Sequence, residues 1–205
     1  MRRPQPWLPK TRGATLVEVL VASTVLLLIL GSAVTAFANY SRYVRRVRAR
    51  ADIQQQSMVL MSALSADLGE TNHLRIFSQA GSNCVIFPQP RGPGGDLAPV
   101  DPSSGQLTWG RVVCYRVDAS RNLLRQIEGL PTPWTDVPPD VLSLPVPRDK
   151  AYFEALGSVE RQFRGEVTRL EVTPGASTSI ELTMSVTVNG RTFELDNSSQ
   201  VAPRN

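Results

Sequence analysis

The sequence predicts an α+β fold in which one long N-terminal helix packs on a small, mostly antiparallel β-sheet domain. Three observations carry that expectation. Residues 14–38 form a largely apolar run with one charge among them, Glu18. Residues 39–68 contain neither proline nor glycine, and their apolar residues recur at helical steps. After Gly69 the pattern changes to short alternating runs, the last two joined by Asn189–Gly190, and Asn-Gly between such runs is a strong hairpin signal.

The helix is predicted from about Ala14 to Leu68, with Gly69 as its C-cap. Its first half is apolar all round, as a helix in lipid or in a bundle must be. Twenty-five helical residues rise roughly 37 Å, enough to cross a bilayer of about 30 Å. Its second half is amphipathic: Met58, Met61, Leu64 and Leu68 form one stripe, and Val44, Val47 and Ala51 an earlier, weaker one. A helix of that kind packs on a domain.

Strands are expected at RIFS, NCVIFP, RVVCYRVD and LLRQIEG, with a hairpin turning at Asp118–Asn122, and then at VTRLEVTP, SIELTMSVTV and RTFELDNS. Residues 88–105 and 131–147 are rich in proline and are expected to be loops over the sheet surface. The chain thus divides into a leader (1–13), an apolar helical half (14–38), an amphipathic half (39–68) and a β-rich domain (69–205).

The net charge of +4 is unevenly spread. Of 22 basic residues, four (Arg2, Arg3, Lys10, Arg12) precede the apolar run and five (Arg42, Arg45, Arg46, Arg48, Arg50) follow it. The remaining 13 face 17 of the 18 acids, so the body of the protein is mildly acidic. Basicity confined to the flanks of an apolar helix points to lipid phosphates or the acids of a partner, and argues against a nucleic-acid surface.

Cys84 and Cys114 each sit beside a β-like run. In a domain outside the cytoplasm they form either one disulfide between neighbouring strands or two buried small hydrophobes. With a single histidine, His73, they cannot build a standard zinc site. No serine lies in a G-x-S-x-G elbow, and Gly92–Gly95 lacks the spacing and lysine of a phosphate loop. No enzyme activity and no cofactor are expected.

The start of the apolar run is the most informative stretch. A basic, proline-containing leader ends at Gly13, and Glu18 is the fifth residue after it. Glycine offers no side chain to obstruct a peptidase, and the basic leader favours a cytoplasmic N-terminus. A glutamate within hydrocarbon costs about 2.5–3.5 kcal/mol or more unless paired, which marks it as functional. The string KTRGATLVEVL resembles the class III signal of type IV pilins and type II secretion pseudopilins. The resemblance implies cleavage between Gly13 and Ala14 by a prepilin peptidase and N-methylation of Ala14, and cleavage creates a partner for Glu18, a free amine on Ala14 or on a neighbouring subunit. Ala14 departs from the phenylalanine or methionine that most members carry.

The same resemblance implies a subunit held in the inner membrane with its soluble domain extracytoplasmic, whose partners are other pilin subunits and an assembly platform. About 165 residues follow the span, more than in the family's major subunits, which implies a minor subunit at a fibre tip or in initiation. Tyr115, Val117, Asp118, Leu123 and Arg125 resemble a pattern of J-type minor pseudopilins and W-type minor pilins. The competing expectation is a tip module of a DNA-uptake or adhesive pilus that binds DNA or a surface through Arg42–Arg50 and the proline-rich loops.

Overall fold

The structure, a computed structural model, describes residues 15–78, 81–92, 94, 96, 100–101, 104–135, 139–163 and 165–203. Gly13, Ala14 and the leader lie outside the described residues. The fold is α+β: a long N-terminal helix followed by antiparallel sheets. The chain separates into two compact units, Met1–Arg46 and Val47–Asn205, and the division falls inside helix α1 (Leu16–Gly69).

In the first unit, α1 is long and apolar enough to cross a membrane, and none of its apolar window is buried. Its hydroxyl side chains turn back onto the helix. Ser23 donates to the Val19 carbonyl at 2.7 Å, Thr24 to Val21 at 2.8 Å, Ser32 to Ile29 at 2.8 Å and Thr35 to Ser32 at 2.8 Å. A hydroxyl satisfied in this way can sit in hydrocarbon without a partner from outside the helix.

In the second unit, the α1 stripe that meets the core is Ile53, Ser57, Leu60, Met61, Leu64 and Leu68. This corrects the expected stripe. Met58 is exposed, because Ser57 occupies the position one turn before Met61, and Val47 and Ala51 face outward as well. The helix also ends differently from expectation. Gly69 is its last residue and does not adopt a positive φ. The exit is instead a tightened turn, in which Glu70 N–H donates to the Asp67 carbonyl and Thr71 N–H to Leu68, both at 3.2 Å. Thr71 then fastens the exit by donating its hydroxyl to the Pro88 carbonyl at 2.6 Å.

Two sheets follow rather than one. The first has the order β1 (Phe77–Ser78), β2 (Cys84–Gln89), β3 (Trp109–Val117), β4 (Leu123–Trp134) and β5 (Arg161–Phe163), all antiparallel. The second is β6 (Glu166–Thr173), β7 (Thr178–Val188) and β8 (Arg191–Val201), also antiparallel. The β7–β8 turn places Asn189 and Gly190 at φ 53° and 72°, the two left-handed residues that a tight two-residue hairpin requires. The β3–β4 hairpin turns at Asp118–Asn122, where Asp118 caps the Asn122 N–H at 2.8 Å.

The five-stranded sheet has a core on each face, which explains why β2 is buried at every position. On one face Val85, Phe87, Val113 and Tyr115 pack with α1 and the second sheet. On the other, Cys84, Ile86, Val112 and Cys114 pack under Val141, Leu144 and Phe153. Phe153 belongs to α2 (Lys150–Leu156), a short helix that was not expected. Asp149 caps its start and a left-handed Gly157 its end.

The loop expected over 131–147 is also corrected, since β4 continues through Pro131 and Pro133 to Trp134. Two features of the pairing admit the prolines. β5 flanks β4 at Leu123–Arg125, and among the described residues no strand flanks the later part of that edge. The β3 ladder is irregular there too, because Arg111 pairs with Gly129 but Trp109 with Trp134. Proline is tolerated at such edges and bulges.

Asn83 and Arg121, both at positive φ, dock the second sheet on the first. Asn83 Oδ1 accepts the Leu170 N–H at 2.9 Å and the Arg121 carbonyl accepts the Val167 N–H at 2.8 Å. Gly165, just before β6, lies at φ +147°, and a Cβ there would meet Gln56 Oε1 at 2.9 Å and collide with the buried Met184. Gly165→Ala is therefore expected to destabilise the domain by about 1–3 kcal/mol, measured as a fall in the urea midpoint with an unchanged m-value.

Candidate functional site

Glu18 lies in the first turn of α1 and is exposed on an exposed apolar helix. Its backbone N–H donates to Thr15 Oγ1 at 3.2 Å, and its Oε2 accepts from the Thr15 N–H at 2.8 Å and the Thr15 hydroxyl at 3.2 Å. Thr15 and Glu18 thus form a reciprocal capping box, which satisfies two donors that a helix start leaves free. The carboxylate also sits where the helix dipole favours negative charge. The T-x-x-E spacing of this box is present in the sequence, where the partner expected for Glu18 is instead a free amine, on Ala14 or on a neighbouring subunit.

The basic run that follows the span is placed residue by residue. Arg42, Arg45, Arg48 and Arg50 are exposed and Arg46 is half-buried. Arg50 is engaged, its guanidinium lying 4.3 Å from the centre of the Phe193 ring. Tyr40 and Tyr43, directly after the apolar stretch, are 65% and 64% exposed, an arrangement that matches the amphipathic ring belts of membrane interfaces. Cys84 and Cys114 are brought together: both thiols are free and buried, with their sulfurs 3.8 Å apart.

A second cluster, which the sequence reading missed, fastens the last turn of α1 to the first sheet. Asp67 is its centre. Arg125 grips it with two arms, Nε to Oδ2 at 2.7 Å and Nη2 to Oδ1 at 3.1 Å. The Tyr115 hydroxyl donates to Oδ2 at 2.6 Å, and Gln89 Nε2 donates to Oδ1 at 3.1 Å. Gln89 in turn accepts from the buried Arg111 at 2.6 and 2.9 Å, and Arg125 also reaches Glu160. Glu70 and Arg91 form a further pair beside it.

The titration of these groups follows from their surroundings. Burial works to lower Arg125, but the hydrogen bonds and charge of Asp67 overcome it and raise the guanidinium above its ordinary value. Arg111, buried without a carboxylate of its own and near Arg91 and Arg125, is lowered. Burial, followed by the Asp67 charge, pushes the Tyr115 phenol well above its usual range. Of the residues in this cluster, Tyr115 and Arg125 belong to the Tyr…Arg pattern noted in the sequence. Nothing in the local sequence singles out Asp67.

One consequence is testable. Folded Tyr115 keeps a proton that the unfolded chain releases near pH 10, so this group's stabilisation is complete below about pH 10 and fades as the pH rises further. Tyr115→Phe is expected to cost about 1–2 kcal/mol at neutral pH, by leaving Asp67 short of one donor, and to flatten the loss of stability between pH 9 and 11. Urea titrations of both forms across that range give the comparison.

No family model matches the chain, and no solved structure matches it. The chain is similar to the pilin-like protein PilA3 of Thermus thermophilus, with 34% identity over 91 residues, a stretch that covers 44% of this chain and 39% of the relative. The long apolar N-terminal helix and the antiparallel sheets that follow it form a pilin-like α+β arrangement in keeping with this similarity, which spans about two fifths of the relative's length.

Proposed function

We propose that the chain is a minor pilin or pseudopilin, a structural subunit that waits in the inner membrane and then joins a type IV pilus or a type II secretion pseudopilus, at its tip or in its initiation. The observation that carries the reading is Glu18, the one charge in the exposed, largely apolar first half of α1. Such a helix finds its place first in lipid and then among the like helices of a fibre core. Cleavage between Gly13 and Ala14 supplies the partner for Glu18, the amine of Ala14 on an adjacent subunit, and removes four basic residues with the leader. Ala14 is then N-methylated.

On this reading the basic leader stays on the cytoplasmic side and the β-rich domain lies outside the cytoplasm. Arg42, Arg45, Arg46, Arg48 and Arg50, with Tyr40 and Tyr43, contact lipid phosphates before assembly or the acids of a neighbouring subunit after it. The prepilin peptidase and the inner-membrane assembly platform are the transient partners.

A second reading, a tip module that binds a surface, draws on a cleft of about 500 Å³ beside β4. Leu130, Trp134, Leu144 and Val146 line it, and Trp134 is 45% exposed. Its arginine, Arg148, is already held by Glu128 through two bonds of 2.9 Å, so the cleft does not favour DNA. Salt-dependent retention of the protein on DNA would favour that ligand over an apolar one.

Two substitutions test the leading reading. Gly13→Asp is expected to block processing and leave a precursor longer by the 13-residue leader, visible as slower migration on a gel; normal maturation of this variant would overturn the reading. Glu18→Ala is expected to be processed normally but to enter fibres at least tenfold less than the parent, by immunoblot of sheared fibres. Equal incorporation would remove the pairing role of Glu18.

A further inference from the structure

We infer that Cys84 and Cys114 close an intramolecular disulfide between β2 and β3 in the exported protein. The inference rests on the extracytoplasmic placement of the domain proposed above, because it is there that thiols meet an oxidant.

The geometry brings the two sulfurs together and isolates them. β2 and β3 are adjacent antiparallel strands, with Cys84 opposite Arg116 and Ile86 opposite Cys114. The cysteines are therefore diagonal neighbours on the same face of the sheet. Their sulfurs are 3.8 Å apart, and the residues are 1% and 0% exposed. A bond of about 2.05 Å asks for rotation of the side chains and a slight approach of two strands that are already paired. Cys84 has the lower pKa of the two. The hydrogen bond from Cys114 lowers it, against the effect of burial, and Lys150 and Arg116 add to the lowering. Cys114 is raised by the same hydrogen bond and by burial.

The Cys114 hydrogen bond and the Arg116 charge, which the paired strands supply by themselves, order the chemistry. The Cys84 thiolate attacks one sulfur of an oxidant disulfide (a protein disulfide of the oxidising compartment, or oxidised glutathione) and releases one thiolate from it. Cys114 then gives up its proton and attacks Cys84 Sγ, and the second oxidant sulfur leaves as a thiol. Two electrons and two protons pass to the oxidant, and one S–S bond forms. In the closed fold Val141, Leu144 and Phe153 cover the pair, so the exchange belongs to the interval before α2 and residues 139–148 seat on the sheet. Once formed, the bond is shielded by the same residues.

The bond would close the segment that carries residues 88–105, rich in proline and glycine. A cross-link across a segment of this kind removes much unfolded-state freedom. Phe87, next in sequence to the strand's centre, packs on the opposite face against the helix side of the core, so the bridge would fix the sheet from the face that α1 does not cover.

The test uses the full chain purified in detergent, unfolded in the presence of reductant, refolded with a mixture of reduced and oxidised glutathione, and quenched with N-ethylmaleimide under denaturing conditions. The expected product has an intact mass about 2 Da below the reduced chain and carries no maleimide; reduction before the quench restores two adducts. It also melts about 10 °C above the same protein kept reduced. Two adducts without reduction, a glutathione adduct or a disulfide-linked dimer would overturn the inference. Protein trapped with maleimide directly from cell membranes, for which the expected result is again no adduct, gives a second measurement that needs no refolding. The refolding arm does not depend on where the domain resides. An alkaline phosphatase fusion to the C-terminus reports that separately, so failure of the bond and failure of the topology are told apart.

Discussion

The domain depends on one carboxylate, Asp67, at the end of the long helix. Its side chain is 15% exposed, as is that of Arg125, its partner. Charges withdrawn from water to that degree are costly unless every lone pair finds a donor. Here Oδ1 accepts from Arg125 and Gln89, and Oδ2 from Arg125 and Tyr115. An apolar stripe such as Leu60, Leu64 and Leu68 holds a helix on a sheet but tolerates a slip of one turn with little change in buried area. A four-fold satisfied carboxylate does not, because the slip strands a charge at a cost of about 3–5 kcal/mol. Burial therefore holds α1 on the domain, and Asp67 sets the register at which it is held.

Other polar residues in the core act in the same way. Gln89, Gln126, Ser57 and Thr71 are all fully buried, and each closes a bond that ties different elements together. Gln89 joins the helix end to Arg111, and Gln126 donates to the carbonyls of Phe153 and Ser158 at 2.9 and 2.7 Å, which seats α2. Ser57 accepts from Asn197 of β8, and Thr71 bonds Pro88. The hydrophobic clusters on the two faces of the first sheet supply the driving force, and these bonds choose one arrangement among those that bury similar areas.

What the sequence made legible follows the range of the interactions involved. The long helix could be read from the absence of proline and the local period, and the β7–β8 hairpin from Asn189–Gly190, because both are decided within a few residues. The helix stripe was misread in its upper part, since Met58 outweighed Ser57 on any scale of hydrophobicity, while the structure buries Ser57 to meet Asn197, 140 residues away. Asp67 was illegible for the same reason, its donors lying 22, 48 and 58 residues further along the chain. β4 was cut short because proline is an argument against a strand, and only the unflanked edge and the irregular β3 ladder lift that argument. α2 had local signals at its two ends, Asp149 and Gly157, hidden by the proline-rich stretch before it.

The capping box at Thr15 and Glu18 bears on how a subunit on the proposed pathway could rest in a membrane and still assemble. A bare carboxylate at depth costs about 2.5–3.5 kcal/mol or more, and a cap contributes about 1 kcal/mol. The Thr15 bonds thus ease the position of Glu18 in lipid without cancelling its cost. They leave the charge itself unneutralised, since hydroxyl and amide donors carry none. A cationic amine from a neighbour offers what they do not, and in a low-dielectric setting that difference grows. It also meets a carboxylate already oriented by the helix start, so little rotamer freedom remains to be lost on pairing. A residue held well enough to wait, but not so well that it has no use for a countercharge, is what a stepwise assembly of such helices requires.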